Sequence, residues 1–194
     1  MRTLRHVPLL LLAIAFDSTP AAGQLSLEMR VSTVQAEDYL PRDVGFSGDA
    51  VWELTEVMSI FAGYNWAEFT FRDGDRAHYR SSGVQAGGRA TLLPGSRIRP
   101  WIGLGVVRNA LRYQVPGQSF DEESDATFGT LVAAGFDVPL LDAVTLSPSV
   151  HHRRFSAEIN EPECDNLFSM GPPSFCGDFT SWGFDLAVRV RVLD

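Results

Sequence analysis

Lysine is absent from this chain: all 16 of the basic residues among its 194 positions are arginine. Without lysine there is no mobile polybasic stretch of the kind that settles on anionic headgroups, and the planar guanidinium suits fixed, paired positions instead. Acids outnumber bases, for a formal net charge of −8, so nucleic acid is not an expected partner. Beyond the first 23 residues no uncharged apolar run reaches the roughly 18 to 20 residues that a membrane-spanning helix needs, which excludes a helical membrane protein. There are two cysteines and four histidines. Two thiols with no histidine nearby make an incomplete zinc shell, so neither a metal nor another cofactor is expected.

The chain opens with the pattern of a secretory leader. Arg2 and Arg5 supply the positive start, residues 7–15 an apolar core too short to cross a bilayer, and Ala21, Ala22 and Gly23 a small-residue cleavage site. The expected division is a cleaved signal peptide over 1–23 and one domain over 24–194, which is the size of a single ordinary domain.

From residue 24 onward the dominant pattern is alternation with a period of two, the signature of strands whose two faces meet different surroundings. Eight segments carry it: 25–34, 44–55, 58–71, 82–92, 98–115, 127–140, 144–155 and 179–193. In the first, Leu25, Leu27, Met29 and Val31 oppose Ser26, Glu28, Arg30 and Ser32. In the last, Trp182, Phe184, Leu186, Val188, Val190 and Val192 oppose Asp185, Arg189 and Arg191. Alternation slips near Val107, where a β-bulge is expected. The links after the second, fourth and sixth segments are short and the others longer and polar, which is the asymmetry of a transmembrane barrel with short periplasmic turns and long outer loops. The expected fold is all-β: an eight-stranded antiparallel up-and-down transmembrane β-barrel behind a cleavable signal peptide.

Three stretches carry a resemblance to known proteins: Ser59-Ile60-Phe61-Ala62-Gly63-Tyr64, Arg99-Pro100-Trp101-Ile102-Gly103-Leu104-Gly105 and Ala133-Ala134-Gly135-Phe136-Asp137-Val138-Pro139-Leu140. Each is similar to a recurrent strand pattern of the small outer-membrane β-barrel family, which includes the OmpA transmembrane domain, OmpX and OmpW-like proteins. The resemblance implies a Gram-negative-type outer membrane, with its lipids and lipopolysaccharide as surroundings and the barrel-assembly machinery as a partner during insertion.

The polar parity gives the expected interior. It holds Glu28, Asp49, Glu53, Asp137 and Asp185 together with Arg30, Arg89, Arg153, Arg189 and Arg191, five acids and five bases. Glycines at 63, 83, 87, 103, 105, 129, 135 and 183 share that parity and leave room for arginines to lie across a narrow lumen. A salt-bridged plug follows, since buried charges must be paired. Trp52 falls near an inner turn and Tyr64, Trp66 and Trp182 near outer loops, as interfacial girdles require.

The outer loops are acidic. Asp121, Glu122, Glu123 and Asp125 lie in one, and Glu158, Glu161, Glu163 and Asp165 in the longest, 157–178, which also holds Cys164 and Cys176. In an exported chain these two thiols are expected to form a disulfide. For catalysis only His151, His152 and Ser156 offer material, and four residues along an extended strand separate His152 from Ser156 by about 13 Å, too far for a nucleophile and its base. The expected role is structural or interactive at the cell surface, without enzymatic chemistry. A narrow channel or carrier for small apolar molecules is the alternative, and a soluble lipocalin-like periplasmic binder, with the apolar parity turned inward, is the third reading.

Overall fold

The computed structural model describes residues 23–36, 43–70, 78–114, 121–159 and 175–193. The leader over 1–23 lies outside them except for Gly23, as does Cys164, while Cys176 is described in its backbone alone. The described residues form nine strands: β1 Gln24–Ala36, β2 Asp43–Glu53, β3 Met58–Thr70, β4 His78–Thr91, β5 Arg99–Gln114, β6 Asp121–Glu123, β7 Thr127–Leu141, β8 Val144–Ile159 and β9 Phe175–Leu193. All pairings are antiparallel, and β4 pairs with β5 while β1 pairs with β9, so the eight long strands close into a barrel.

The register fixes the barrel's shape. A row of paired residues runs from Ser26 through Val51, Phe61, Gly87, Gly105, Leu131, Arg153 and Ser181 back to β1 at Ala36. The path therefore returns ten residues further along the strand on which it began, a stagger that tilts every strand against the barrel axis. The tight turns at 54–57, 92–98 and 142–143 lie at one end with Gln24 and Leu193, here called the inner end. At the first of these turns the Thr55 hydroxyl accepts from the amides of Val57 and Met58 at 3.2 and 2.9 Å.

Side chains alternate between wall and lumen as the period of two demands. Outward on each strand stand apolar residues with nothing over them: Met29, Leu104 and Phe184 are 68%, 66% and 67% exposed. Such a continuous apolar surface is far beyond what a water-soluble chain leaves bare. The polarity is the reverse of the one a soluble lipocalin-like binder needs, in which the apolar parity would point inward.

Three features differ from the sequence pattern. The acidic stretch that reads as loop contains β6, which pairs with the outer end of β5 as Arg112 opposite Glu123, Tyr113 opposite Glu122 and Gln114 opposite Asp121. Strands β8 and β9 continue past the expected ends at 155 and 179, pairing Ala157 with Gly177 and Ile159 with Phe175. No bulge lies at Val107: β5 is in unbroken register with β4, and the irregularities fall at Leu25/Ser26 and Pro139/Leu141. Alternation slips at Val107 because the lumen itself turns apolar there, with Val107 and Leu111 both buried in it.

Glycine at 87 is required by close approach. A Cβ there would press on the Leu104 carbonyl oxygen and lie 2.7 Å from the Phe61 ring. At Gly48, which faces outward, the nearest atom is the Met29 sulfur at 3.4 Å. Gly87→Val is therefore expected to destabilise the detergent-folded barrel by about 1–3 kcal/mol, and Gly48→Val to have little effect; urea unfolding midpoints of the two variants check this.

Candidate functional site

The interior is built around one carboxylate. Glu28 of β1 is 1% exposed and accepts from three arginines on three strands. Arg89 of β4 grips it with both terminal nitrogens, Nη1 to Oε2 at 2.8 Å and Nη2 to Oε1 at 2.6 Å. Arg189 of β9 donates from Nε at 3.0 Å, and Arg30, two positions along β1, donates at 2.5 Å. The strand period places Glu28 and Arg30 on the same face, and the register places Arg189 directly opposite Glu28.

The network extends in both directions. Arg189 also reaches Asp137 at 3.0 Å and Glu53 at 3.6 Å. Asp137 accepts from the Ser147 hydroxyl at 2.7 Å, which in turn accepts from the Trp101 indole at 3.2 Å. Arg89 lies over the Trp101 ring at 4.5 Å and the Phe61 ring at 5.3 Å, so its charge is held by both a carboxylate and two π faces. Arg30 reaches Asp49 at 3.4 Å and Asp185 at 3.7 Å, and Gln85 ties Asp49 at 2.7 Å to Arg153 at 3.3 Å.

Of the ten interior charges expected, Glu28, Asp49, Asp137, Asp185, Arg30, Arg89, Arg153 and Arg189 are buried, four acids with four arginines. Glu53 is half-buried and Arg191 exposed, and both line a polar cavity of about 380 Å³ at the inner mouth, together with Arg99 and Gln24. Two contributors were missed by the sequence pattern. His151 is 1% exposed, with Nδ1 2.9 Å from both carboxylate oxygens of Asp185. Asn65 and Asn109 donate to each other's side-chain oxygens at 3.2 and 2.9 Å, meeting over Gly83 of the strand between them. Both were legible in principle, because His151 shares the parity of Arg153 and Asn65 that of Gly63.

A second layer was missed entirely. Toward the outer end the lumen is filled by Val34, Phe69, Tyr79, Val107, Leu111, Tyr113, Leu131, Phe155 and Phe179, all buried in one cluster. Phe179 meets Phe69 at 5.4 Å edge-on and Phe155 at 5.2 Å, while Tyr79 and Tyr113 stack at 4.8 Å. These residues occupy the charge-bearing parity near the outer ends of their strands.

The remaining candidates sit outside the lumen. His152 is on the wall against Trp182, ring centres 4.4 Å apart. The Ser156 hydroxyl donates to Asp178 at 3.0 Å, so the two do not meet. Asp178 also accepts from Arg154, and these hydrogen bonds hold its carboxyl below the usual range. Glu123, Asp125 and Glu158 are exposed at the outer end; Asp121 and Glu122 belong to β6, and Glu161, Glu163 and Asp165 lie outside the described residues.

Removing the central acid leaves three arginines without their shared partner. Glu28→Gln is expected to cost about 3–5 kcal/mol of barrel stability, and the charge-balanced Glu28→Met/Arg89→Met to recover a large part of it. Urea or thermal unfolding in detergent, followed by gel mobility, reads both; a Glu28→Gln midpoint equal to wild type would show that the network carries no stability.

No protein-family model and no curated protein matches the sequence. Solved structures do match in shape. Neisserial surface protein A superimposes with a TM-score of 0.63 at 11% identity, covering 90% of this chain and 99% of that one. The outer membrane protein AlkL, solved by solid-state NMR in lipid bilayers, gives 0.58 at 12% identity, covering 89% and 91%. The outer membrane protein OprG from Pseudomonas aeruginosa gives 0.55 at 14%, covering 89% and 97%. The chain thus has the closed eight-stranded antiparallel fold of the small outer-membrane β-barrels.

Proposed function

We propose that the protein is an outer-membrane barrel of a Gram-negative-type bacterium, exported behind a cleaved leader and inserted by the barrel-assembly machinery. Its role on this reading is structural or interactive, exercised at the cell surface through acidic outer loops, with no catalytic chemistry. The observation that carries it is the pairing of an apolar outer band with a lumen occupied by the Glu28 network below and the aromatic cluster above. A closed barrel satisfies every backbone group by strand pairing, which is what a hydrocarbon environment demands. A filled lumen conducts poorly, so the exposed surfaces are left as the place where the protein acts. The acidic residues at the outer end suit divalent cations bridging to lipopolysaccharide, or a basic partner.

The test is fractionation of cells expressing the full chain, with heat-dependent gel mobility of the extracted protein, followed by planar-bilayer recording. Outer-membrane recovery, a mobility shift and the lack of steady conductance are expected. Conductance steps or uptake of small apolar molecules would instead assign a narrow channel or carrier, and recovery in the soluble periplasmic fraction would overturn the membrane assignment. A second expectation concerns the wall: Leu104→Arg, at mid-height on the outward face, should destabilise the bilayer-inserted barrel by about 2–4 kcal/mol, measured by unfolding from vesicles.

A further inference from the structure

The apolar wall ends abruptly on β4 and β5. Going outward along β4, the wall-facing residues are Ala86, Val84, Ser82 and Arg80; along β5 they are Ile102, Leu104, Val106, Arg108, Ala110 and Arg112. The register sets Val84 opposite Arg108, Ser82 opposite Ala110 and Arg80 opposite Arg112. Three arginines therefore frame a floor of two small residues on adjacent strands. Like charges directly opposite one another weaken a sheet, so the rung of Arg80 and Arg112 needs negative charge close by.

The protein supplies two carboxylates beside these three arginines, which leaves one surplus positive charge. Glu68 stands across from Arg80 on β3 and Glu123 across from Arg112 on β6, and Arg112 has a partner of its own. Among the described residues, however, neither Arg80 nor Arg108 makes an ion pair. Each guanidinium instead lies over an aromatic ring: Arg80 at 5.7 Å from the Trp66 centre and Arg108 at 5.9 Å from that of Phe128. Stacking in this way restrains the guanidinium while leaving N–H groups available to grip a phosphate or carboxylate with two parallel bonds. Trp66 and Phe128 belong to the outer aromatic girdle, so the arginines sit at the level where lipid chains give way to headgroups.

The geometry points to a lipid-phosphate site on the barrel's outward face: Arg80, Arg108 and Arg112, around Ser82 and Ala110, hold the phosphate of an anionic lipid in the outer leaflet. This rests on the reading of the chain as a lipid-embedded barrel. A phosphate there balances the surplus positive charge, accepts from the outward N–H groups of the stacked arginines, and lets its acyl chains run down over Val84 and Val106. The site is fixed by strand register and does not depend on the outer loops.

The test uses the protein inserted in phosphatidylcholine vesicles, with insertion verified by heat-dependent mobility, and compares spin-labelled phosphatidic acid with spin-labelled phosphatidylcholine by electron paramagnetic resonance. The motionally restricted fraction gives relative affinity for the barrel surface. Wild type is expected to prefer phosphatidic acid about threefold. Arg80→Gln/Arg108→Gln should bring the ratio to about one while leaving insertion intact, and Arg97→Gln, at the inner turn, should keep the preference. An unchanged preference in the inserted double variant, or a loss caused by Arg97→Gln instead, overturns the site while the barrel reading stands. Failure of the wild type to insert at all overturns the barrel reading itself.

Discussion

One carboxylate shared by three guanidinium groups organises the interior. Glu28 draws arginines from β1, β4 and β9 onto a single point, and the remaining acids are arranged around those arginines. The fourth buried arginine, Arg153, is reached through Gln85. A charge in such a place is tolerable only because its partners are fixed in space before it arrives. The rigid sheet does that fixing, and glycines on the inward face let the strands come close enough for the side chains to span the gap. Strand number and register set the barrel's width, and at that width Arg89 reaches from β4 to Glu28 on β1.

The barrel's two surfaces obey opposite rules, and the outer one explains why the inner one is polar at all. Every strand turns its apolar parity outward, which leaves the polar parity facing in. Polar groups confined to a narrow lumen must then satisfy one another. Toward the outer end the inward positions change character and the lumen is closed by aromatic rings. The seal is thus made twice by different physics, once by charge pairing and once by close packing of apolar side chains.

Much of this was legible in the sequence, and the exceptions have physical reasons. Parity located the wall, the lumen and eight buried charges, because a period of two is insensitive to where a strand starts. Parity says nothing about depth, so it did not reveal that Phe69, Tyr79, Phe155 and Phe179 stack into one cluster; the tilt of the strands brings together residues far apart in sequence. The slip at Val107 looked like a backbone fault and is instead a change in what the lumen contains. The lack of lysine excluded a mobile polybasic stretch but did not show where the arginines sit, and Arg80 and Arg108 at the rim lie over aromatic rings. Composition recorded the type of charge and missed its position. β6 escaped notice because three acidic residues have no strand propensity of their own and pair only because β5 offers an edge.

The seam between β1 and β9 has a consequence for how the protein comes to exist. It joins the first strand of the barrel to the last across 12 paired positions, and Glu28 takes one of its arginines from β9. No partial chain emerging in order from a ribosome can complete either the sheet or the ion network. Until the final strand is available the sheet has two open edges and its apolar parity is uncovered. Closure of so long a loop costs entropy that only the finished set of contacts repays, so closure of the barrel waits for its last strand.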